Sequence, residues 1–390
     1  MTVSSKKTSV SNGLLELKNK LKKDESIIIT SKVSKIETVT SNSWVFDYVS
    51  GIGGAPIGRM IEFNGKEASG KTTLALMIAA QSQKMGMHVL YFDAENALDT
   101  VYAHKLGLSF DEEKLTLIGC KGIETIDSIF TDYCKLGIPT LFILDSLPAT
   151  VPEQFLTDPS VERKNPGLHS RLQGSFLNRA TTLLARTNST MIVLNQMRAN
   201  MDIARGPAAY AAPKEKSAGG HASKHFQSQI FHLQLAGKEK EDIEDVLEGS
   251  KVKKDSVLKI KITNRKNKVG RPFLGGMLYM NIGEGFDNMR NLIEAAINRK
   301  IITKKTGGWY YSKLFIGGDE TKIQGTKKLS NYLRENESVV EAILQELKWI
   351  QPDGRLDLSG EYGDLEVDPT AADEEDDTPF PSFSAQDDED

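Results

Sequence analysis

The sequence has few of the features that mark secreted, membrane-spanning or metal-stapled proteins. Its 390 residues include only two cysteines, Cys120 and Cys134, which fit reduced structural side chains better than a disulfide or a metal pair. Apart from His221 and His225, the six histidines show no ligand spacing, so no zinc site is expected. No apolar run approaches the ~18 residues that span a bilayer, and the amino-terminal stretch, MTVSSKK, is polar. We therefore expect a cytoplasmic protein with no membrane partner.

Positive charge is missing from one end of the chain. No Lys or Arg follows Arg355, but 14 of the 53 acidic residues do, so 39 acidic and 49 basic residues precede that point, a balance of +10. The net charge of -4 therefore hides a basic body and an acidic tail. A basic body suits a polyanionic partner, and the tail from 351 to 390 has the composition of a disordered segment.

A glycine-rich segment matches the phosphate-binding pattern GxxxxGK[ST]. It comprises Gly65, Lys66, Glu67, Ala68, Ser69, Gly70, Lys71 and Thr72, with Thr73 next. A short alternating stretch over 59–63 predicts the strand before it, and 73–80 predicts the helix after it. In that setting Lys71 would reach the β- and γ-phosphates and Thr72 would ligate Mg²⁺. The alternative is a glycine-rich turn with an incidental lysine.

Two further strands end in acidic residues. The apolar run 140–144 predicts a buried parallel strand, and Asp145 at its end would hold Mg²⁺ beside the phosphate loop. An aspartate that merely caps the next element is the alternative. The strand over 89–92 runs into Asp93, Glu95 and Asp99. One of these carboxylates could activate water, but spacing does not say which, and a solvated acidic loop would look the same.

The segments GKEASGKTT, FDAENALD, LFILDS and LNQMR occur in the order and spacing of the RecA family of homologous-recombination ATPases, which the chain resembles from about residue 14 to 350. The resemblance implies that Glu95 activates water and that Asp99 and Tyr102 contact adenine. It places Ser146 beside Asp145 in the second acidic motif. It also implies that Gln196 senses the γ-phosphate at the start of the second DNA-binding loop.

The segment 264–273 resembles the K-N-K segment of that family. Lys266 and Lys268 match the two lysines that reach ATP held by the neighbouring subunit. Cations supplied by another protomer would stabilise charge on the transferring phosphoryl group. From the residues alone, an exposed basic face on an edge strand is the simpler interpretation.

The resemblance also implies two DNA-binding loops, over about 153–171 and 195–223. It places Arg171, Arg198, Gly219 and Gly220 near the DNA backbone, where small residues let amides approach phosphates. The chain departs from the bacterial pattern here, since Pro166 replaces an apolar side chain and His225 an aromatic one. The second loop is also longer.

The predicted architecture is α/β, with a mainly parallel twisted sheet flanked by helices in a RecA-type P-loop ATPase core. We expect an amino-terminal polymerisation segment over 1–34 with a helix over 12–24, a core over 35–285, a small α/β domain over 286–350 and the acidic tail. The expected core strands include 88–93, 140–145, 190–194, 230–235, 257–263 and 277–281. The expected elements of the small domain are a helix over 288–299, a hairpin at Gly307–Tyr311 and helices over 326–334 and 336–348.

These features predict a DNA-dependent ATPase that uses ATP and Mg²⁺, forms helical filaments of identical subunits on single-stranded DNA, and pairs it with homologous duplex DNA. The expected setting is the nucleoid of a bacterium or a phage-infected cell. A ring-forming helicase and a non-catalytic, ATP-sensing recombination mediator are the alternatives. The acidic tail either solubilises the protein or competes with DNA, in which case deleting 364–390 would strengthen duplex binding.

Overall fold

The structure is a computed structural model that describes residues 36–158, 167–199, 215–217, 225–244 and 251–347, with residues 20 and 349. Three predictions therefore lie outside the described residues. They are the amino-terminal helix apart from Lys20, much of both DNA-binding loops, and the acidic tail. Among the described residues, no helix is both long and apolar enough to cross a bilayer.

A large sheet forms the centre of the molecule. Its strands are β3 (Met60–Gly65), β4 (His88–Asp93), β5 (Leu115–Ile118), β6 (Thr140–Asp145), β7 (Thr190–Ala199), β8 (Glu215–Ser217), β9 (Gln229–Glu244), β10 (Lys251–Asn267), β11 (Gly275–Asn281) and β12 (Gly285–Phe286), and a separate pair joins β1 (Thr38–Val39) to β2 (Ala55–Pro56). The order is β12-β11-β10-β9-β3-β7-β6-β4-β5, with β8 beside β7. The six strands from β9 to β5 are parallel and the others antiparallel, which confirms a mainly parallel sheet.

Helices cover both faces of this sheet. Those of the core are α1 (Trp44–Val49), α2 (Lys71–Lys84), α3 (Thr100–Lys105), α4 (Ile123–Leu136), α5 (Glu153–Thr157) and α6 (Leu168–Thr187). Because successive side chains of a strand point to opposite faces, β3 contributes to two separate cores. Phe63 belongs to the cluster that contains Leu74 of α2, and Met60 belongs to the cluster that contains Phe130 of α4 and Phe176 of α6.

Strands β9 and β10 are much longer than the predicted 230–235 and 257–263. Strand β9 pairs with β3 only from Gln229 to His232, and β10 pairs with β11 only from Val257 to Thr263. Both strands continue beyond these neighbours. Beyond that they form a two-stranded ribbon, in which Lys251 is in register with Glu244. The prediction was too short because this stretch of the sequence is rich in charge and has no apolar period.

The strand and helix bounds also correct both predicted DNA-binding loops. Strand β7 runs five residues beyond the predicted 190–194, because its pairing with β3 continues to Gln196 and its pairing with β8 begins at Met197. Helix α5 occupies the start of the first loop, and α6 begins at Leu168, inside its predicted end. These parts of the loops are therefore regular structure.

A small module follows the core. It contains α7 (Asn288–Asn298), α8 (Thr326–Glu335), α9 (Glu337–Glu346) and an antiparallel sheet of β13 (Thr303–Lys305), β14 (Trp309–Tyr311) and β15 (Lys322–Gln324). The predicted helices and the hairpin are confirmed, and β15 was missed. Tyr310 is buried in the same apolar cluster as residues of the preceding core, so the module packs directly on that core.

Candidate nucleotide-binding site

The predicted phosphate loop lies between β3, which ends at Gly65, and α2, which begins at Lys71. Gly65 and Gly70 have φ angles of 154° and 83°, a region that favours glycine. A Cβ atom on Gly65 would lie 2.1 Å from the carbonyl oxygen of Leu233, and one on Gly70 would lie 2.9 Å from Ile260 Cδ1. The glycines therefore permit both the turn and its close packing against the sheet.

Lys71 is buried within the loop. Its Nζ atom donates hydrogen bonds to the carbonyl oxygens of Gly65, at 3.1 Å, and Lys66, at 2.7 Å. Burial lowers the pKa of Lys71, and the nearby carboxylates of Asp145, Glu95 and then Glu67 oppose that shift. The Lys71 side chain is thus held by carbonyl groups of the loop itself, with acidic side chains nearby.

The donor groups of the loop fit an anion. The hydroxyl group of Ser69 is buried and has no hydrogen-bond partner among the described residues, although buried polar groups are nearly always paired. The positive amino-terminal end of α2 starts two residues later. A triphosphate would give the Ser69 hydroxyl a partner and Lys71 a counter-charge.

Thr72 and Asp145 meet as predicted. The Thr72 hydroxyl donates to Asp145 Oδ2 at 3.0 Å, and Tyr91 Oη donates to the same oxygen at 2.7 Å. Burial raises the pKa of Asp145, while the hydrogen bonds from Tyr91 and Thr72 lower it. Burial, and then the charge of Asp145, raise the pKa of Tyr91.

These oxygen atoms suit Mg²⁺. That ion prefers oxygen ligands and is commonly held by one or two carboxylates together with water and substrate phosphates. One carboxylate and one hydroxyl meet that description, and the described part of the chain contains no cluster of three or more His, Cys, Asp or Glu residues that could hold a metal. The sequence alone did not single out Tyr91, because it looked like one of the apolar residues of a buried strand.

Glu95 lies where the carboxyl ends of three neighbouring strands converge. Its Oε1 atom accepts hydrogen bonds from the Ser146 hydroxyl at 2.5 Å and from Gln196 Nε2 at 3.0 Å. Glu95 follows β4, Ser146 follows β6 and Gln196 belongs to β7, so the strand order brings these residues together. Three residues that are far apart in the sequence thus form one cluster.

The two other acidic candidates in this segment hold local backbone. Asp93 accepts from the amides of Ala97 and Leu98, at 3.1 and 3.0 Å. Asp99 caps α3 by accepting from the amide of Tyr102 at 2.9 Å. Of the three carboxylates that spacing left open, Glu95 is therefore the one whose hydrogen bonds come from the ends of other strands.

Tyr102 is tied to the helix that follows the phosphate loop. Its hydroxyl lies 3.1 Å from Thr73 Oγ1, and burial raises its pKa while the hydrogen bond to Thr73 lowers it. This contact fixes the tyrosine next to the loop. The adenine contacts of Asp99 and Tyr102 remain predictions.

Lys266 lies at the end of β10, two strands away from β3, and Lys268 comes just after that strand. Lys268 Nζ donates to the carbonyl oxygen of His225 at 2.8 Å. Burial lowers the pKa of Lys266, as does the neighbouring Lys268, and the charge of Glu62 acts in the opposite direction. Both lysines thus interact with groups of their own chain, and their contact with a neighbouring subunit's nucleotide stays a prediction.

The predicted DNA-contacting residues are only partly described. Arg171 is exposed in the first turn of α6, and Arg198 belongs to β7. Gly219, Gly220 and Pro166 lie outside the described residues. The DNA contacts of the two arginines and the two glycines stay predictions.

Sequence reasoning missed a buried carboxylate. The alternation over 59–63 predicted a strand with a polar face, but Glu62 is only 1 % exposed. It accepts hydrogen bonds from Asn195 Nδ2 at 3.2 Å and Gln227 Nε2 at 2.9 Å. One signal in the sequence could have revealed Glu62, since an acidic residue stands in the strand that leads into the phosphate loop. Parallel neighbours would bury that strand on both faces.

Comparisons with known proteins agree with this site. The family model of the RecA N-terminal domain matches residues 9–287. A relative from Lactococcus lactis subsp. cremoris, Protein RecA, is 33% identical over 340 residues, which cover 87% of this chain and 81% of that protein. Protein RecA from Thermotoga neapolitana is 30% identical over 350 residues, covering 88% and 93%. Protein RecA from Dichelobacter nodosus is 30% identical over 342 residues, covering 87% and 90%.

Proposed function

The chain belongs to the RecA family, and we propose that it is a DNA-dependent ATPase that forms helical filaments on single-stranded DNA and catalyses homologous pairing and strand exchange. The observation that carries this proposal is the hydrogen bond between Glu95 and Gln196. Glu95 follows β4, one of the strands beside the phosphate-binding edge of the sheet, and Gln196 leads into the second predicted DNA-binding loop. A water-activating carboxylate would therefore be in direct contact with the segment that senses DNA.

The phosphate loop supplies the binding half of the proposed reaction. Lys71 and the amino-terminal end of α2 would bind the phosphates of ATP, and Thr72 and Asp145 would hold Mg²⁺. When bound, that ion neutralises phosphate charge. Glu95 would orient the attacking water and accept its proton, a task for which a carboxylate within hydrogen-bond reach is suited. Gln196 would hold Glu95 in the productive position.

The remaining cations would come from a neighbouring copy. Lys266 and Lys268 of one subunit would reach the nucleotide of the next, so that hydrolysis requires assembly. Fixed positive groups aimed at a phosphoryl group stabilise the charge that develops during transfer. Head-to-tail contacts of this type generate filaments when their rotation does not close a ring.

The proposed DNA contacts are to the backbone. Arg171, Arg198 and the two glycines at 219 and 220 would bind phosphates, which fix register without carrying sequence information. The bases would stay free to test pairing against a duplex. Recombination and repair in the cytoplasm, at the nucleoid, are the processes in which such pairing would act.

A strand-exchange assay tests this proposal. Homologous and heterologous duplexes are offered to the protein on single-stranded DNA with ATP and Mg²⁺, using the wild type and Lys71→Ala. The expected result is a product that needs homology and is lost in the variant, because Lys71 is the cation at the phosphates. Closed hexamers that unwind duplex DNA would instead indicate a ring motor. ATP binding without DNA-stimulated hydrolysis would indicate a recombination mediator.

A further inference from the structure

A polar cluster lies inside the sheet, beside β3, β7 and the start of β9. We call it the Glu62 cluster, and it consists of Glu62, Asn64, Asn195 and Gln227. Glu62 Oε1 accepts from Asn195 at 3.2 Å and from Asn64 at 3.4 Å, while Oε2 accepts from Gln227 at 2.9 Å. One carboxylate thus collects three side-chain amides from three segments of the chain.

The amide orientations follow from the charge of the carboxylate. His232 Nδ1 lies 2.8 Å from Asn64 Oδ1, which leaves the Asn64 amino group for Glu62. Gln227 is fully buried and turns its amino group to Glu62, although its own Oε1 then has no hydrogen-bond partner among the described residues. A buried acceptor without a partner costs free energy, so the contact with the carboxylate dominates the position of Gln227.

The members of the cluster are adjacent to several parts of the proposed hydrolytic site. Asn195 immediately precedes Gln196, whose amide holds Glu95. Gln227 lies two residues after His225, whose carbonyl oxygen holds Lys268. The charge of Glu62 also acts on Lys266, in the direction that keeps the lysine protonated. Glu62 itself is on the strand that ends in the phosphate loop.

A purely structural role accounts for these contacts poorly. A buried carboxylate is expensive to desolvate, and well-packed apolar side chains of similar volume often stabilise a protein as well or better. The same face of these two strands carries apolar residues two positions earlier, as Met60 and Val193 show. A buried carboxylate is useful when it fixes the relative positions of several polar groups.

We propose that Glu62 is a positioning residue for DNA-stimulated ATP hydrolysis, which sets Gln196, through Asn195, relative to the phosphate loop. This inference rests on the proposed function. In this arrangement Glu62 touches neither ATP nor DNA. It joins β3, which ends in the phosphate loop, to β7, which carries the contact between Gln196 and Glu95, so that DNA binding at the end of β7 alters hydrolysis at the end of β3.

The test compares Glu62→Gln with Glu239→Gln in the full-length protein. Glu239 is a suitable control because it is a carboxylate of β9 in the same sheet and pairs with Lys259 at 3.0 Å and Arg290 at 2.5 Å, but it lies seven residues beyond His232, where the pairing of β9 with β3 ends. Steady-state ATPase kinetics with oligo(dT), binding of a fluorescent ATP analogue without DNA, and urea unfolding are measured for both variants.

The two variants should differ in one quantity. Glu62→Gln should lower the DNA-stimulated kcat about tenfold or more, the loss expected when a charged hydrogen-bonding partner is removed. ATP binding without DNA should stay within about twofold, since the phosphate-loop contacts are untouched. Glu239→Gln should change neither the kcat nor ATP binding.

A double-mutant cycle separates positioning from general weakening. If Glu62 acts through Gln196, Glu62→Gln combined with Gln196→Leu should be no slower than Gln196→Leu alone. Additive losses in kcat, or equal losses of ATP binding and kcat, would overturn the inference. If Glu62→Gln does not fold, Gln227→Leu, which removes one donor and keeps the carboxylate, must show the same fall in kcat with unchanged ATP binding. A wild-type protein without DNA-stimulated hydrolysis would refute the proposed function itself, whereas an active wild type with additive variants would refute this inference alone.

Discussion

Replacing Gly65 by alanine should damage the phosphate loop far more than the loss of a flexible residue would. The new Cβ would lie 2.1 Å from the Leu233 carbonyl oxygen and 2.8 Å from Ser69 Oγ. The first of these atoms is backbone of β9, so it cannot rotate away. Either β9 or the start of the loop must move, and the loop is the less firmly paired of the two.

The magnitude follows from two contributions. A residue other than glycine at positive φ costs about 1–2 kcal/mol, and forcing extra atoms into a packed site costs about 1–3 kcal/mol more. Gly86 supplies the matched control, because its φ is 81° but a Cβ there would meet nothing within 4 Å. Gly86→Ala should therefore show a conformational contribution without close contacts, and the difference between the variants reports mainly the contacts of the new Cβ with Leu233 and Ser69.

Urea unfolding and titration with a fluorescent ATP analogue measure both consequences. Gly65→Ala should be less stable than Gly86→Ala by about 1–3 kcal/mol and should bind nucleotide at least about tenfold more weakly, since roughly 1.4 kcal/mol of lost loop geometry corresponds to that factor. Gly86→Ala should bind nucleotide as the wild type does. If both alanine variants unfold at the same urea concentration and bind ATP equally, the close approach of the loop to β9 does not exist in solution.

Three further predictions concern single carboxylates and their partners. Glu95→Gln should keep nucleotide binding but reduce DNA-stimulated hydrolysis at least about 100-fold in a steady-state assay, since a general base contributes roughly 10²–10⁴-fold; a loss below about tenfold would assign water activation elsewhere. Tyr91→Phe removes a 2.7 Å hydrogen bond to Asp145. It should lower the free energy of unfolding, measured in urea, by about 1.5–3 kcal/mol. An unchanged free energy of unfolding would count against a charged Asp145. Burial raises the pKa of Asp47 from 3.8 to about 6, so the folded chain binds this proton more tightly than the unfolded chain does. Protonation of Asp47 therefore stabilises the fold, and this stabilisation of roughly 3 kcal/mol is lost as the pH rises from about 4 to 6. Asp47→Asn should abolish that decline in unfolding free energy, measured between about pH 4 and 7, and an identical pH profile in the variant would contradict it.

The parts of the fold that sequence predicted best are those in which local pattern and burial agree. The residues from 141 to 144 are all apolar, and the strand has the predicted bounds, Thr140–Asp145. The strand, turn and helix around the glycine-rich segment were equally clear, because glycine, lysine and threonine at this fixed spacing are typical of that arrangement, and the phosphate contacts themselves stay predictions. The position of Asp145 beside the loop was expected from the rule that ligands gather at the carboxyl ends of parallel strands, and its hydrogen bond from Thr72 agrees with that position.

Where the pattern and the environment disagree, prediction failed. Glu62 looked like one residue of a polar strand face, yet one amide from β3 and two from distant segments allow it to be buried, and no local pattern reveals them. The ribbon of β9 and β10 was missed for the opposite reason, since its charged residues offered no apolar period. Spacing alone did not choose Glu95 among three acids and only the family resemblance did, because its contacts with Ser146 and Gln196 form only in the folded sheet.

The segment between β7 and β9 leaves the sheet on one side of β3 and returns on the other, because β3 is paired with both strands. Its two anchor points are therefore set by the sheet and not by how many residues join them. Closing a longer connection costs little, about 0.6 kcal/mol for each doubling of length. The sheet would thus tolerate a connection of very different length at this place, provided that Gln227, just before β9, keeps its contact with Glu62.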